Sequence, residues 1–518
     1  MSELWTFILL WGVWLLTPIL VDGVDAVTRL IRVRVHRSRA HYQPVPDDLL
    51  PTVAIIVPAH NEAALIDRCL TSVKAQDYPH AKLEVIVVDD GSTDGTAEIA
   101  ETHVHSAETV ADLIIRGETI KVGPFGGRFL VIRNGHAGKA HALNTGIDAC
   151  TAQLIVNIDS DVVLAPGSVR AIAERFVHDP KLGAATGNIE IDWELLETRD
   201  ANGDIVVDEN GLPKPRRLRL GERMLAKSQF LEYLASFRLG RDAQAITDSM
   251  YTLAGACSAF RRDVIMQARG YSNRTVSEDT DITWMLHEAG IPIGFVPGAR
   301  VLLEPVVHWD ELYAQRVRWA RGQLEVSALN TPDGKNGQKP EAGRTTLPKM
   351  LLFDHTLAFP RLVWMPLVLF FPLLGYSPTL IAIALFAMYL FYLGIEAINT
   401  LSCFGVAEPD TRERIEHCGL TLFLLPFFRM VVFFFRVSGF LVTLTEEQQW
   451  TVPGDVSRAR ERFELARLRS IQMATLLVRG TTSGFMWITT LLTTLIAPIL
   501  VGVVVAVQHI ISLSRRNS

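Results

Sequence analysis

Cysteine is scarce and unpatterned in this chain. The five residues Cys69, Cys150, Cys257, Cys403 and Cys418 form no CxxC pair. That excludes a zinc cluster or a disulfide framework as the organising principle. Small core residues in a reducing compartment are the simpler reading. A positive charge excess is missing too. Lys and Arg number 50 against 56 Asp and Glu, a formal net charge of −6, so nothing supports nucleic-acid binding, which normally shows as a basic domain. The N-terminus also lacks the basic start and small-residue cleavage site of a cleaved signal peptide.

Apolar residues, by contrast, are abundant. They make up 49% of the 518 residues, and mean hydropathy is positive at +0.22. The excess sits in a short N-terminal stretch and in the last third, as in a soluble domain framed by membrane segments. Residues 4–21 carry no charge but hold Trp5, Trp11 and Trp14; a stretch near 20 residues is what a bilayer core needs. Arg29, Arg32, Arg34, Arg37 and Arg39 follow, which by the positive-inside rule puts the next segment in the cytoplasm. Residues 362–395 are again uncharged but are broken by Gly375-Tyr376-Ser377-Pro378, which suits a helical hairpin of two spans. Residues 485–507 read as a further span. Residues 420–444 stay open between a span and an interfacial helix, because Arg429 and Arg436 sit inside them. The basic stretch 458–469 favours the cytoplasm. The chain is therefore expected to comprise an N-terminal anchor (1–28), a cytoplasmic domain (50–325) and interfacial helices (326–360). A transmembrane hairpin (361–402), a membrane or interfacial helix (419–445), a cytoplasmic basic segment (446–482) and a C-terminal transmembrane helix (484–511) follow. That makes a multi-pass protein of the cell (inner) membrane, with the lipid bilayer as a partner.

Between the anchors the pattern becomes short apolar runs alternating with helical stretches. Residues 53–57 (VAIIV), 85–88 (VIVV) and 154–158 (LIVNI) read as buried parallel strands. Helices are expected over 62–76 and 93–101, giving an α/β domain with a mainly parallel sheet. Residues 200–215 (DANGDIVVDENGLPKP) share some calcium-loop spacing, but the glycine and closing glutamate are misplaced. The NG pairs at Asn202-Gly203 and Asn210-Gly211 predict a surface hairpin instead.

Four constellations carry candidate chemistry. PAHNE (58–62) ends the first strand. Pro58 and Glu62 belong either to a surface for a base and ribose or to an ordinary turn in which Asn61 caps the next helix. DDGSTDGT (89–96) ends the second strand. Its carboxylates Asp89 and Asp90 suit ribose hydroxyls or a uracil ring, while Ser92 and Thr93 are placed to cap a helix. DSD (159–161) ends the third, where Asp159 and Asp161 can turn to one centre. Mg2+ or Mn2+ prefers such oxygen ligands together with substrate phosphates and would neutralise a departing diphosphate. In SED (277–279), Glu278 and Asp279 are either a helix N-terminus or the site of a general base, with Asp281 and a helix over 282–289 after it. Downstream, QRVRW (315–319) lies on an amphipathic helix. Its indole and planar donors suit a sugar ring and a diphosphate, or simply a membrane interface.

In order and spacing together, the chain resembles the processive family 2 glycosyltransferases: cellulose, chitin, hyaluronan and poly-N-acetylglucosamine synthases. The resemblance runs from Val53 to about Leu324. It rests on Glu62, Asp90, Lys139 in GHAGKAHALNTG, Asp159, Asp161, Glu278, Asp279, Gln315, Arg318 and Trp319, with TLAGACSAFRRD (252–263) similar to an acceptor-proximal loop. It implies a GT-A-like nucleotide-sugar-binding α/β domain plus α-helical transmembrane segments, and inverting transfer from a UDP-sugar to a growing polysaccharide acceptor. Asp90 would hold the uridine, Asp161 the metal and Asp279 the acceptor proton. Lys139 would lie near the donor, with Pro58, Glu62, Asp89 and Asp159 on the donor side. Arg318 and Trp319 would hold the diphosphate and the acceptor end, with Gln315 beside the acceptor. Secretion-apparatus proteins are candidate partners. No cyclic-di-GMP module is expected after the last span, which favours UDP-N-acetylglucosamine over UDP-glucose as donor. The rival readings are a non-processive transferase acting on a lipid carrier, and a nucleotide-binding transporter or scaffold.

Overall fold

The computed structural model describes residues 22–39, 43–105, 111–115, 118–122, 125–198, 206, 214–329, 372 and 375–445. The anchor at 4–21, most of the 200–215 stretch, most of 326–360, the first arm of the 361–402 hairpin and everything after 445 lie outside the described residues.

The three predicted strands form the middle of an eight-stranded sheet. β1 (Val53–Ala59) pairs parallel with β2 (Leu83–Asp90) on one side and with β6 (Leu154–Ile158) on the other, and β2 pairs parallel with β5 (Arg128–Asn134). Each run is continuous and β-branched because both faces are covered. Ile55, Val57, Val85 and Val87 enter one apolar cluster, and Ala54, Ile56, Ile86 and Val88 enter the other. Period-2 alternation sends successive side chains to opposite faces. β3 (Ala111–Ile115) and β4 (Glu118–Val122) make a separate two-stranded ribbon.

The far half of the sheet departs from the mainly parallel expectation. β9 (Cys257–Arg261) runs antiparallel between β6 and β8 (Ala184–Ile191). β10 (Ile293–Leu303) then pairs parallel with β8, and β7 (Val163–Leu164) closes the edge antiparallel to β10. A strand inserted antiparallel brings its own loop, 252–256, to the edge where β6 ends. All five cysteines are free and buried, as expected of core residues.

The two helices expected from 62 and 93 begin later than periodicity predicts. α1 spans Val24–Arg39, α2 Ile66–Lys74 and α3 Thr96–His105. Periodicity predicts α2 from 62, and one of the two readings of PAHNE makes Asn61 its cap. Instead Asn61 takes φ +56, and its Oδ1 accepts from the Thr93 backbone N–H at 2.9 Å. Nor do Ser92 and Thr93 cap α3. Ser92 Oγ accepts from Asn61 N–H, and Asp94 Oδ1 accepts from Thr96 N–H at 3.1 Å, as a cap does. The polar side chains at 61 and 92–96 thus stitch two strand-end loops together. α4 (Lys139–Ala149) and α5 (Ser168–His178) complete this half.

α6 (Leu220–Tyr233) continues through a π-helical stretch, Leu234–Gly240, into α7 (Arg241–Ile246). α8 (Arg262–Gln267) and α9 (Glu278–Glu288) follow, then the long α10 (Trp309–Leu329) that carries QRVRW. α9 starts four residues before its expected position, so Glu278 and Asp279 lie in its first turn.

Among the described residues, two helices are long and apolar enough to cross a membrane: α11 (Pro378–Val406), and Gly419–Gly439 within α13 (Gly419–Thr445). The segment left open in the sequence is thus a continuous helix that meets the length of a span. Its Arg429 is neutralised by Glu396 of α11 at 2.6 Å. The short α12 (Pro409–Glu416) joins the two and docks on the sheet domain. Arg414 pairs with Asp192 at 2.8 Å, and Arg300 of β10 reaches both Glu190 and Asp410. Removing one partner of such a buried pair typically costs about 3–5 kcal/mol.

Candidate active site

Three parallel strands end in register. Ala59 lies opposite Asp89, and Ile56 lies opposite Asn157, so the segments after β1, β2 and β6 share one edge of the sheet. Ligands of open α/β sheets bind at this carboxyl edge. The PAHNE, DDGSTDGT and DSD segments all converge there, as the sequence predicts.

Lys139, at the first turn of α4, joins them to the fourth constellation. Its Nζ lies 2.6 Å from Asp159 and 3.3 Å from Glu278. Burial opposes the ammonium charge, but Asp159 and Glu278 outweigh it and hold Lys139 above its usual range. Glu278 is buried, and that burial raises its carboxyl, with Lys139 pulling the other way. Asp279 is half-buried and held at three points. Its Oδ1 accepts from Ser277 Oγ at 2.8 Å and from Thr280 N–H at 2.7 Å, and its Oδ2 accepts from Gly255 N–H at 3.2 Å. Asp281, by contrast, is fully buried in a pair with Arg274 at 2.6 Å and serves the fold.

The acidic side is crowded. Burial pushes Asp161 up to about 6, and the neighbouring Asp159 charge adds to it. Glu62 is pushed up to about 7, first by burial and then by Asp161 and Asp159. Asp161 Oδ1 is sealed from solvent and has no hydrogen-bond partner among the described residues. A buried unpartnered carboxylate oxygen beside a second carboxylate is costly unless a cation neutralises both. Asp159 and Asp161 therefore fit a hard divalent ion.

This crowding gives a pH-dependent expectation. Glu62 and Asp161 hold protons more tightly folded than unfolded, relative to ordinary values of 4.5 and 3.8. Without a cation their contribution to stability falls as pH rises from near those values through about 6 and 7. Mg2+ added to chelator-treated protein should therefore raise the melting temperature clearly at pH 8 and little at pH 5. A shift of equal size at both pH values would contradict the assignment.

The QRVRW helix packs over the Asp279 side of the site. Gly322 of α10 packs so close to Ser277 that an added Cβ would meet the Ser277 Cβ at 2.4 Å, and Glu325 accepts from Val276 N–H at 3.2 Å. α10 is thereby fixed against the segment that holds Asp279. Trp319 is half-buried, 6.4 Å from the Tyr233 ring. Arg316 lies 4.3 Å from the Trp319 centroid and is anchored by Glu232 at 2.6 Å. Gln315 Oε1 is buried without a partner among the described residues, and Arg318 is half-buried on the same helix.

Sequence reasoning selected Arg318 and missed Arg316, Glu232 and Tyr233. Arg316 was visible in QRVRW, but nothing in the sequence ties it to a helix 84 residues away. Asp90 is also more structural than expected, because its carboxylate accepts from Ala137 and Gly138 N–H, each at 2.9 Å. Asp89 is buried, and its Oδ1 has no partner among the described residues.

Residues 54–268 match the model described as Glycosyl transferase family 2, and residues 225–396 match Glycosyl transferase family group 2. The chain is 26% identical over 279 residues to a poly-beta-1,6-N-acetyl-D-glucosamine synthase of Staphylococcus aureus (strain COL), covering 54% of this chain and 56% of the relative. The same-named synthase of Staphylococcus epidermidis is 26% identical over 275 residues, covering 53% and 55%. The chain thus spans about half the length of these curated relatives. Among solved structures, a mannosyltransferase from Pyrobaculum calidifontis in complex with GDP-Man and Mn2+ is 18% identical, covers 84% of this chain and 99% of its own, and has a TM-score of 0.48. TarS 1–349 of S. aureus in complex with UDP-GlcNAc is 16% identical, covering 59% and 72%, with a TM-score of 0.37. Residues 54–268 thus form a family 2 glycosyltransferase domain.

Proposed function

We propose that this chain is a membrane-embedded, processive, inverting β-glycosyltransferase that elongates an extracellular polysaccharide from a UDP-sugar, UDP-N-acetylglucosamine before UDP-glucose. The observation that carries the reading is the convergence of Lys139, Asp159, Asp161, Glu278 and Asp279 at one sheet edge, beneath the helix bearing Trp319. The named activity of the staphylococcal relatives points the same way.

The acceptor hydroxyl attacks the anomeric carbon from the face opposite the diphosphate. Asp279 takes the hydroxyl proton as the new C–O bond forms and the bond to the β-phosphate oxygen breaks, so UDP leaves and configuration inverts. Asp90 and Asp89 meet the nucleoside, with Pro58 and Glu62 lining the donor side. Asp159 and Asp161 would hold Mg2+ or Mn2+, which when bound would neutralise the diphosphate. Lys139 keeps Asp159 and Glu278 in place beside the donor, Arg318 faces the diphosphate, and Gln315 and Trp319 hold the acceptor end. Ring stacking on an indole suits a sugar face.

α11 and α13 leave large apolar side chains exposed, among them Ile383, Phe386, Leu401, Leu420 and Phe423. In water that surface would be costly, and in lipid it is not. Embedding these helices would place α10 at the membrane face, with the sheet domain in the cytoplasm. The test is product length. Full-length protein incubated with labelled UDP-N-acetylglucosamine should give polymers well beyond one addition from the earliest times. A single labelled sugar per acceptor would replace this reading with single transfer to a lipid carrier.

A further inference from the structure

We propose that His60, Asp90 and His136 form a second cation site, for a borderline transition-metal ion such as Zn2+, separate from the Asp159–Asp161 pair. The ligand atoms of these three residues all lie within 4.8 Å of one another. They come from three places: the end of β1, the end of β2, and the loop between β5 and α4.

The loop is shaped to hold them. Gly91 has φ +76, and a Cβ there would lie 2.8 Å from the His136 backbone nitrogen, so only glycine allows this approach. The Ala137 and Gly138 N–H groups, each at 2.9 Å, fix the Asp90 carboxylate. His60 Nδ1 lies 2.8 Å from the Asp90 carbonyl oxygen, and His136 Nδ1 lies 3.2 Å from that oxygen and 2.9 Å from Asp90 Oδ2. The ring centroids lie 4.3 Å apart, with the planes tilted by 31°. An ion replacing the two Nδ1 protons would meet two imidazole nitrogens, Oδ2 and the carbonyl oxygen. Tetrahedral zinc with bonds of about 2.0–2.1 Å spaces its ligands by roughly 3.3 Å, and three of these ligand pairs lie 2.8, 2.9 and 3.2 Å apart. Both imidazoles are exposed, which leaves an entry path.

Donor chemistry separates the two sites. Imidazole nitrogens suit Zn2+, Ni2+ or Cu2+, whereas the all-oxygen Asp159–Asp161 pair suits Mg2+ or Mn2+. One consequence rests on the proposed function: if Asp90 meets the uridine, the ion and the nucleotide compete for it.

The test uses purified full-length protein in excess Mg2+, titrated with Co2+ and read by its visible d–d absorption. A saturable band displaced by Zn2+ is expected. It should weaken by at least about tenfold in affinity in His136→Gln and in His60→Gln, a loss at least as large as outer-shell changes cause, and persist in Asp161→Asn. No band, or a band lost in Asp161→Asn and kept in His136→Gln, overturns the site. UDP should displace the Co2+. A histidine-dependent band that UDP leaves intact supports the ion site and overturns the placement of Asp90 at the uridine.

Discussion

Asp279→Asn is expected to lower turnover by at least about a hundredfold while leaving UDP-sugar binding near normal. A sugar hydroxyl is a poor nucleophile until a positioned group takes its proton, and such assistance is typically worth about 10²- to 10⁴-fold. Asp279 is held by three donors, from Ser277, Thr280 and Gly255, so its orientation is set before the acceptor arrives. Asn preserves its size and several of these contacts but cannot accept the proton. Glu278 is a poorer base on geometry. It is buried and its charge is engaged by Lys139 at 3.3 Å. Calorimetry reports the binding and a coupled UDP assay the rate. Turnover within a few-fold of the parent would remove Asp279 from the role and make Glu278 the next residue to test.

Asp161→Asn should cost more, about a thousandfold in turnover. Charge neutralisation by a bound cation is worth several kcal/mol, and each 1.36 kcal/mol is about tenfold in rate. A chelator should do the same to the parent protein, with either Mg2+ or Mn2+ restoring it. The fold should survive, because Asn removes a repulsion. Burial and Asp159 both oppose the Asp161 charge, so metal-free variant protein should melt no lower than metal-free parent. The Mg2+-dependent rise in melting temperature should vanish with it. Full activity in excess chelator would contradict the metal assignment.

Much of this site was legible in the sequence, for a physical reason. Strands covered on both faces must be apolar throughout, so β1, β2 and β6 announce themselves, and polar residues at their ends stand out against them. Glu62, Asp90 and Asp159 were found that way. Lys139 was found only through the family resemblance, since nothing local marks a lysine at the start of a helix as the partner of Asp159 and Glu278. The antiparallel insertion of β9 was not legible, because a short buried run reads the same in either direction. The supports of Trp319 were hidden for another reason. Glu232 and Tyr233 belong to α6 and meet α10 only after the chain has crossed the sheet, and a π-helical stretch directly after Tyr233 breaks the usual periodicity. The His60–Asp90–His136 cluster escaped notice because each histidine alone is an ordinary loop residue. The docking of α12 through Arg414 and Asp192 spans 222 residues and leaves no periodic trace.

The central claim is that the carboxylates gathered at this sheet edge transfer sugar from a nucleotide donor. It is tested most directly by UDP release from UDP-N-acetylglucosamine, UDP-glucose and UDP-glucuronate with purified full-length protein and Mg2+ or Mn2+, measured beside the Asp279→Asn protein. The account predicts steady UDP release with at least one of these donors and its loss in the variant despite retained donor binding. No release with any donor, or equal release by parent and variant, would contradict it.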